Sequence, residues 1–76
     1  MKNPKGYRIT AEYKGNQVYI RLRNNDRYDP VCNTQAENAS LFFTKKDAQE
    51  VVNFIRSKRC KLDVFNLKDI KIEAVW

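Results

Sequence analysis

The feature that most constrains this chain is a run of apolar residues at helical spacing within the stretch Leu41 to Arg59. Ala48, Val51, Val52 and Ile55 recur at the three- and four-residue intervals of one helical face, with Phe54 on its flank. Gln49, Glu50, Asn53, Arg56 and Ser57 point the other way. Thr44 is the expected N-cap, its hydroxyl accepting from the backbone N–H of Asp47, whose charge also suits the positive end of the helix dipole. Phe43 and Ala48 occupy the positions of a hydrophobic staple. Lys58, Arg59 and Lys61 gather where cations suit the negative pole. A helix with one apolar stripe needs a sheet face to cover it, and the flanking segments supply the pattern for one.

From Tyr7 the sequence alternates, with Tyr7, Ile9, Ala11 and Tyr13 on one side and Arg8, Thr10, Glu12 and Lys14 on the other. Gly15-Asn16 is a hairpin-turn signal, and Val18, Ile20 and Leu22 return against Gln17, Tyr19, Arg21 and Arg23. Folding there pairs Tyr13 with Val18, Ala11 with Ile20 and Ile9 with Leu22, and sets Arg8 opposite Arg23. After the helix, Leu62, Val64 and Phe65 suggest a short extended piece, and Asn66 to Asp69 a turn. Ile70, Ile72, Ala74 and Trp76 then share one face of a last strand. The expected fold is a single small α+β domain over 1–76, an antiparallel three- to four-stranded sheet packed on one α-helix. Ile9, Ala11, Ile20, Leu22, Ile72 and Trp76 should pack on Val51, Val52 and Ile55.

Two segments fall outside this pattern. Residues 1–5 read as a polar tail. Asn24 to Ser40 is a long, polar, Asn-rich loop in which Asp29-Pro30 signals a turn. A structureless segment of that length is unusual in a compact domain. Either Tyr28 to Asn33 adds a short edge strand, to which Pro30 would be confined, or the segment is a binding loop. Leu41 to Phe43 is a candidate extended piece leading into the helix.

Catalysis finds no footing. The 76 residues include no histidine, and Ser40 and Ser57 lie in no nucleophile elbow. The two cysteines, Cys32 and Cys60, cannot fill a tetrahedral zinc site. Asp26 and Asp29 flank a turn, where acids more often shape the loop than hold Mg²⁺. No cofactor or metal is expected. The tail is polar and no apolar signal region follows it, so the reading is cytoplasmic, without a membrane span and with both thiols free.

What remains is binding. A net charge of +6 and a pI near 9.6 favour anionic partners. One helix covers one face of the sheet, leaving Arg8, Lys14, Tyr19, Arg21 and Arg23 on the other. Arginines beside an aromatic on a sheet suit single-stranded nucleic acid, although Glu12 interrupts the patch. Arg27 and Tyr28 in the loop are the residue types of protein hot spots, and would continue that face. The leading expectation is a small non-enzymatic protein of phage or mobile-element type. It would bind a host complex acting on nucleic acid, as an anti-defence factor or nuclease inhibitor. The alternative is direct DNA or RNA binding through the hairpin face. A third reading is a homodimer joined at the exposed sheet edge.

Overall fold

A computed structural model describes residues 3–57 and 59–76, with Asp63 and Val64 described by their backbone alone; Met1 and Lys2 of the expected tail and Lys58 of the expected cation cluster lie outside the described residues. Four strands form one antiparallel sheet in the order β3-β2-β1-β4: β1 (Gly6–Tyr13), β2 (Asn16–Leu22), β3 (Pro30–Asn33) and β4 (Lys68–Val75). One helix, α1 (Lys45–Arg56), covers one face. The fold is the α+β arrangement that the periodicities predict. No described helix is long and apolar enough to cross a membrane.

α1 begins where its cap dictates. Thr44 holds an extended backbone and its Oγ1 accepts from the Asp47 N–H at 3.2 Å. Ala48, Val51, Val52 and Ile55 are all buried, so the stripe in the sequence is the stripe in the core. They meet Ile9, Ile20, Leu22, Phe42, Cys60 and Leu62, with Ile70 and Ile72 half-buried at the margin. Full burial of each large side chain contributes roughly 1.5–3 kcal/mol before ordering entropy is set against it. The staple does not form, because Phe43 is 90% exposed. Phe42 takes the interior place instead.

The hairpin keeps its predicted faces and changes its register. The turn residues are Lys14 and Gly15, both at positive φ (50° and 83°), the backbone of a type I′ turn. Tyr13 therefore pairs with Asn16 and Ala11 with Val18, a slip of two residues from the Gly15-Asn16 alignment. A two-residue slip preserves the pleat, so Ile9, Ala11, Val18, Ile20 and Leu22 all remain buried. Arg8 consequently does not lie across from Arg23, which sits beyond β2 in a 3₁₀ turn (Arg23–Asn25).

Beyond Tyr19 the two strands of the hairpin part, and Ser40 to Phe42 fills the gap. The Ser40 N–H donates to the Ile20 carbonyl at 3.1 Å, and Ser40 Oγ accepts from the Leu22 N–H at 2.8 Å. Phe42 and Tyr7 exchange both backbone hydrogen bonds, at 2.7 and 2.9 Å. Gly6 permits the approach, since a Cβ there would lie 3.0 Å from the Phe42 carbonyl oxygen.

Asn24 to Ser40 is not one long loop. It holds the end of the first 3₁₀ turn, the edge strand β3, and a second 3₁₀ turn (Ala36–Asn38). Pro30 opens β3 on the sheet edge, where a missing N–H is tolerated. The expected extended piece at Leu62 is a 3₁₀ turn (Lys61–Phe65) that buries Leu62. Within the tail, the Lys5 N–H is tied to the Val75 carbonyl at 2.7 Å. Trp76 does not join the core and is 69% exposed. The register sets Val75 against Gly6, the first residue of β1, so Trp76 extends past the covered part of the sheet.

Candidate functional site

The residues singled out for binding fall into two groups on opposite sides of the sheet. Alternation places Arg8, Thr10 and Glu12 of β1, Gln17, Tyr19 and Arg21 of β2, and Lys71 and Glu73 of β4 on the face away from α1. Arg23, Arg27 and Tyr28 belong to the turn after β2, and there Arg27 and Tyr28 reach the helix. Lys14 stands at the hairpin tip, its ammonium 5.3 Å from the centre of the Tyr13 ring. The continuous basic surface expected from the sequence is therefore divided.

On the open face, charges are paired across strands. Arg8 Nε donates to Glu73 Oε2 at 2.7 Å, and the same guanidinium lies 5.2 Å from the centre of the Tyr19 ring. The Glu73 carboxylate raises the Arg8 pKa further above its already high value. Glu12 faces Gln17 on one side and Lys68 on the other. Thr10, between Tyr19 and Lys71, is buried at the centre of this face. A shallow hollow of about 510 Å³ opens beside it, lined by Glu12, Gln17, Asp69, Lys71 and Glu73. Acids and bases alternate here; the face is not a basic track.

The helix side carries a different chemistry. Arg27 is held by two carboxylates of α1, with Nη1 to Glu50 Oε2 at 2.6 Å and Nη2 to Asp47 Oδ1 at 3.4 Å. The Tyr28 ring meets Phe54 edge-on, centroids 5.3 Å apart, and the residue is still 76% exposed. The turn that presents both is built from local bonds. Asp26 Oδ1 accepts from the Tyr28 N–H at 2.9 Å, and Asn24 and Asn25 take positive φ, as Asn tolerates. Asp29 closes the turn by accepting from Arg23 Nε at 2.8 Å and from Lys61 Nζ. Those two cations hold its carboxyl down at about 2. Asp26 and Asp29 are thus turn formers, and no metal-ligating cluster of three or more groups assembles among the described residues.

Beside Arg27 lies a hollow of about 160 Å³, lined by Leu22, Asn25, Arg27, Leu41, Phe43 and Asp47. Phe43 and Leu41 (56% exposed) form its outer rim. The sequence pattern does not place Phe43 and Leu41 at this surface, because apolar side chains ahead of a helix are ordinarily assigned to its staple or core. The signal available was Leu41-Phe42-Phe43 itself, since three successive bulky residues in an extended piece cannot all face inward. No protein-family model, curated protein or solved structure matches the chain.

Proposed function

We propose that this chain is a small non-enzymatic binding protein whose partner is another protein, engaged through the ledge of Arg27, Tyr28, Leu41 and Phe43. The observation that carries the reading is the exposure of Phe43, a large apolar side chain left in water beside a hollow and a fixed arginine. Arg and aromatic residues are enriched at interfaces, the aromatics because they supply large contact area at low ordering cost. Arg27 is already clamped by Glu50 and Asp47, so little freedom is lost when a partner meets it.

The finer reading is an accessory protein of phage or mobile-element type that modulates a complex acting on nucleic acid. Its support is a small basic chain without an evident catalytic set, whose +6 charge suits an acidic or nucleic-acid-laden partner. Direct nucleic-acid binding through the open face is disfavoured by one contact. Arg8 lies over the Tyr19 ring and is paired with Glu73, so a base stacking there or a phosphate binding there must first displace those contacts.

Affinity capture from cells expressing the tagged chain tests the reading. A defined protein should be recovered with the wild type and lost with Phe43→Ser and with Tyr28→Ala, both variants melting like the wild type. Equal recovery of the same protein by both variants contradicts it.

A further inference from the structure

We propose that β4 is a self-pairing edge, which joins two copies of this chain into one antiparallel sheet about a two-fold axis at Ile72. The sheet order leaves β3 and β4 as its edges. β3 is four residues long and begins with Pro30, whereas β4 runs for eight residues and contains no proline. A long edge strand presents unspent backbone donors and acceptors.

The direction of those groups follows from the neighbouring ladder. Tyr7 gives both its N–H and its C=O to Phe42, on the side of β1 away from β4. By alternation Arg8 and Thr10 turn theirs toward β4, where they face Glu73 and Lys71. The backbone groups of Ile70, Ile72 and Ala74 then point outward from the sheet. The contact of Arg56 Nη2 with the Ile70 carbonyl at 3.4 Å fits that direction, because the arginine reaches this oxygen from outside the ladder.

A second copy placed antiparallel about Ile72 sets Ile72 against its own counterpart and Ile70 against Ala74 of the other chain. These are the residues whose backbone groups point outward, so hydrogen-bonding parity and symmetry agree. The same register sets Lys71 opposite Glu73 of the other copy, and Glu73 opposite its Lys71, both pairs on the open face. Opposite charges directly across a ladder stabilise, and like charges there destabilise. The Lys71-Ile72-Glu73 triplet is therefore complementary to itself under a two-fold axis, as a closed dimer interface requires. Pairing also covers the outer flanks of Ile70 and Ile72, which α1 leaves half-exposed. The bulge between Thr10 and Glu12, with Asp69 at φ 51°, ends the regular edge and confines pairing to Ile70–Ala74. Weak bonding of Arg56 to Ile70 is displaced when the strands meet.

Charge reversal of the full chain tests this, read by sedimentation equilibrium from micromolar to millimolar concentration. The wild type should show a monomer–dimer equilibrium. Lys71→Glu alone and Glu73→Lys alone each place like charges in both pairs, and should weaken the dimer by roughly tenfold or more. Mixed in equal amounts, the two variants should form heterodimers, since every cross-strand pair is then opposite in sign. Glu73→Lys also removes the ion pair with Arg8, so Ala74→Pro provides a second probe: it deletes an outward N–H and leaves the β1 ladder intact. It should be folded by circular dichroism and monomeric. A wild type monomeric throughout, or single variants that dimerise as well as the wild type, overturns the proposal, as does an Ala74→Pro chain that still dimerises.

Discussion

The Ser40 hydroxyl accepts a hydrogen bond from the Leu22 backbone N–H at 2.8 Å, across the gap where β1 and β2 part. It substitutes for the strand partner that Leu22 loses there, and so fixes the segment that carries Leu41 and Phe43. Ser40→Ala should leave that half-buried N–H unpaired and cost about 1–3 kcal/mol in urea unfolding. A loss below a few tenths of a kcal/mol would mean that the backbone bonds of Ser40 with Ile20 and of Phe42 with Tyr7 hold the segment without it.

The core makes a sharper demand. Val52 is 3% exposed on the apolar face of α1, whereas its neighbour Asn53 is exposed and accepts from Gln49 Nε2 at 2.9 Å. Val52→Asp should cost about 3 kcal/mol or more and largely unfold so small a domain, because the charge has no partner there. Asn53→Asp keeps the acceptor oxygen and should be nearly silent. Equal, small losses in chemical denaturation would mean that the helix docks by another face.

These two positions mark what a sequence can and cannot disclose. The stripe from Ala48 to Ile55 and the alternation of the hairpin are periodic, and periodicity survives into the fold. The two-residue slip is invisible to alternation because both registers bury the same side chains; the choice falls to the turn, where Lys14 takes a positive φ that its residue type does not advertise. The division of the basic residues was equally hidden. It depends on the turn after β2 folding toward α1, through contacts of Arg27 with Asp47 and Glu50 and of Tyr28 with Phe54, all distant in the chain.

Asp29 makes stability depend on acid pH. Its carboxyl titrates at about 2 in the folded chain because Arg23 and Lys61 donate to its charged form. An unfolded chain returns it to the ordinary carboxylate range of about 3.9. The folded pKa is the lower one, so this stabilisation is fully present above the unfolded value and lost as pH falls through the folded value. The wild type should therefore melt higher than Asp29→Asn near neutrality, and the difference should close between about pH 4 and pH 2. A difference independent of pH would place the role of Asp29 in shape and not in charge.

The thiols carry a separate expectation. Cys32 is half-buried and Cys60 buried, and both are free. Burial, with a smaller contribution from nearby Cys60, pushes the Cys32 thiol above its usual range. Alkylation of Cys32 near neutral pH should be slower than that of an unstructured thiol and should accelerate as the solution is made alkaline. Intact-mass measurement should find two free thiols, and reductant should leave the melting temperature unchanged. A clear drop with reductant would reveal a disulfide that stabilises the fold.

The proposal that the ledge around Phe43 binds protein while the open face does not bind nucleic acid can be checked by titrating bare DNA and RNA against salt. Binding through Arg8, Arg21 and Lys71 would release counterions, and log affinity would fall with log salt by about 0.9 per duplex phosphate contacted, or about 0.7 for single strands. Only weak binding without sequence preference is expected near physiological salt, changed little by Tyr19→Ala. Submicromolar binding under those conditions, lost in Arg21→Ala and Tyr19→Ala but retained in Phe43→Ser and Tyr28→Ala, would contradict it.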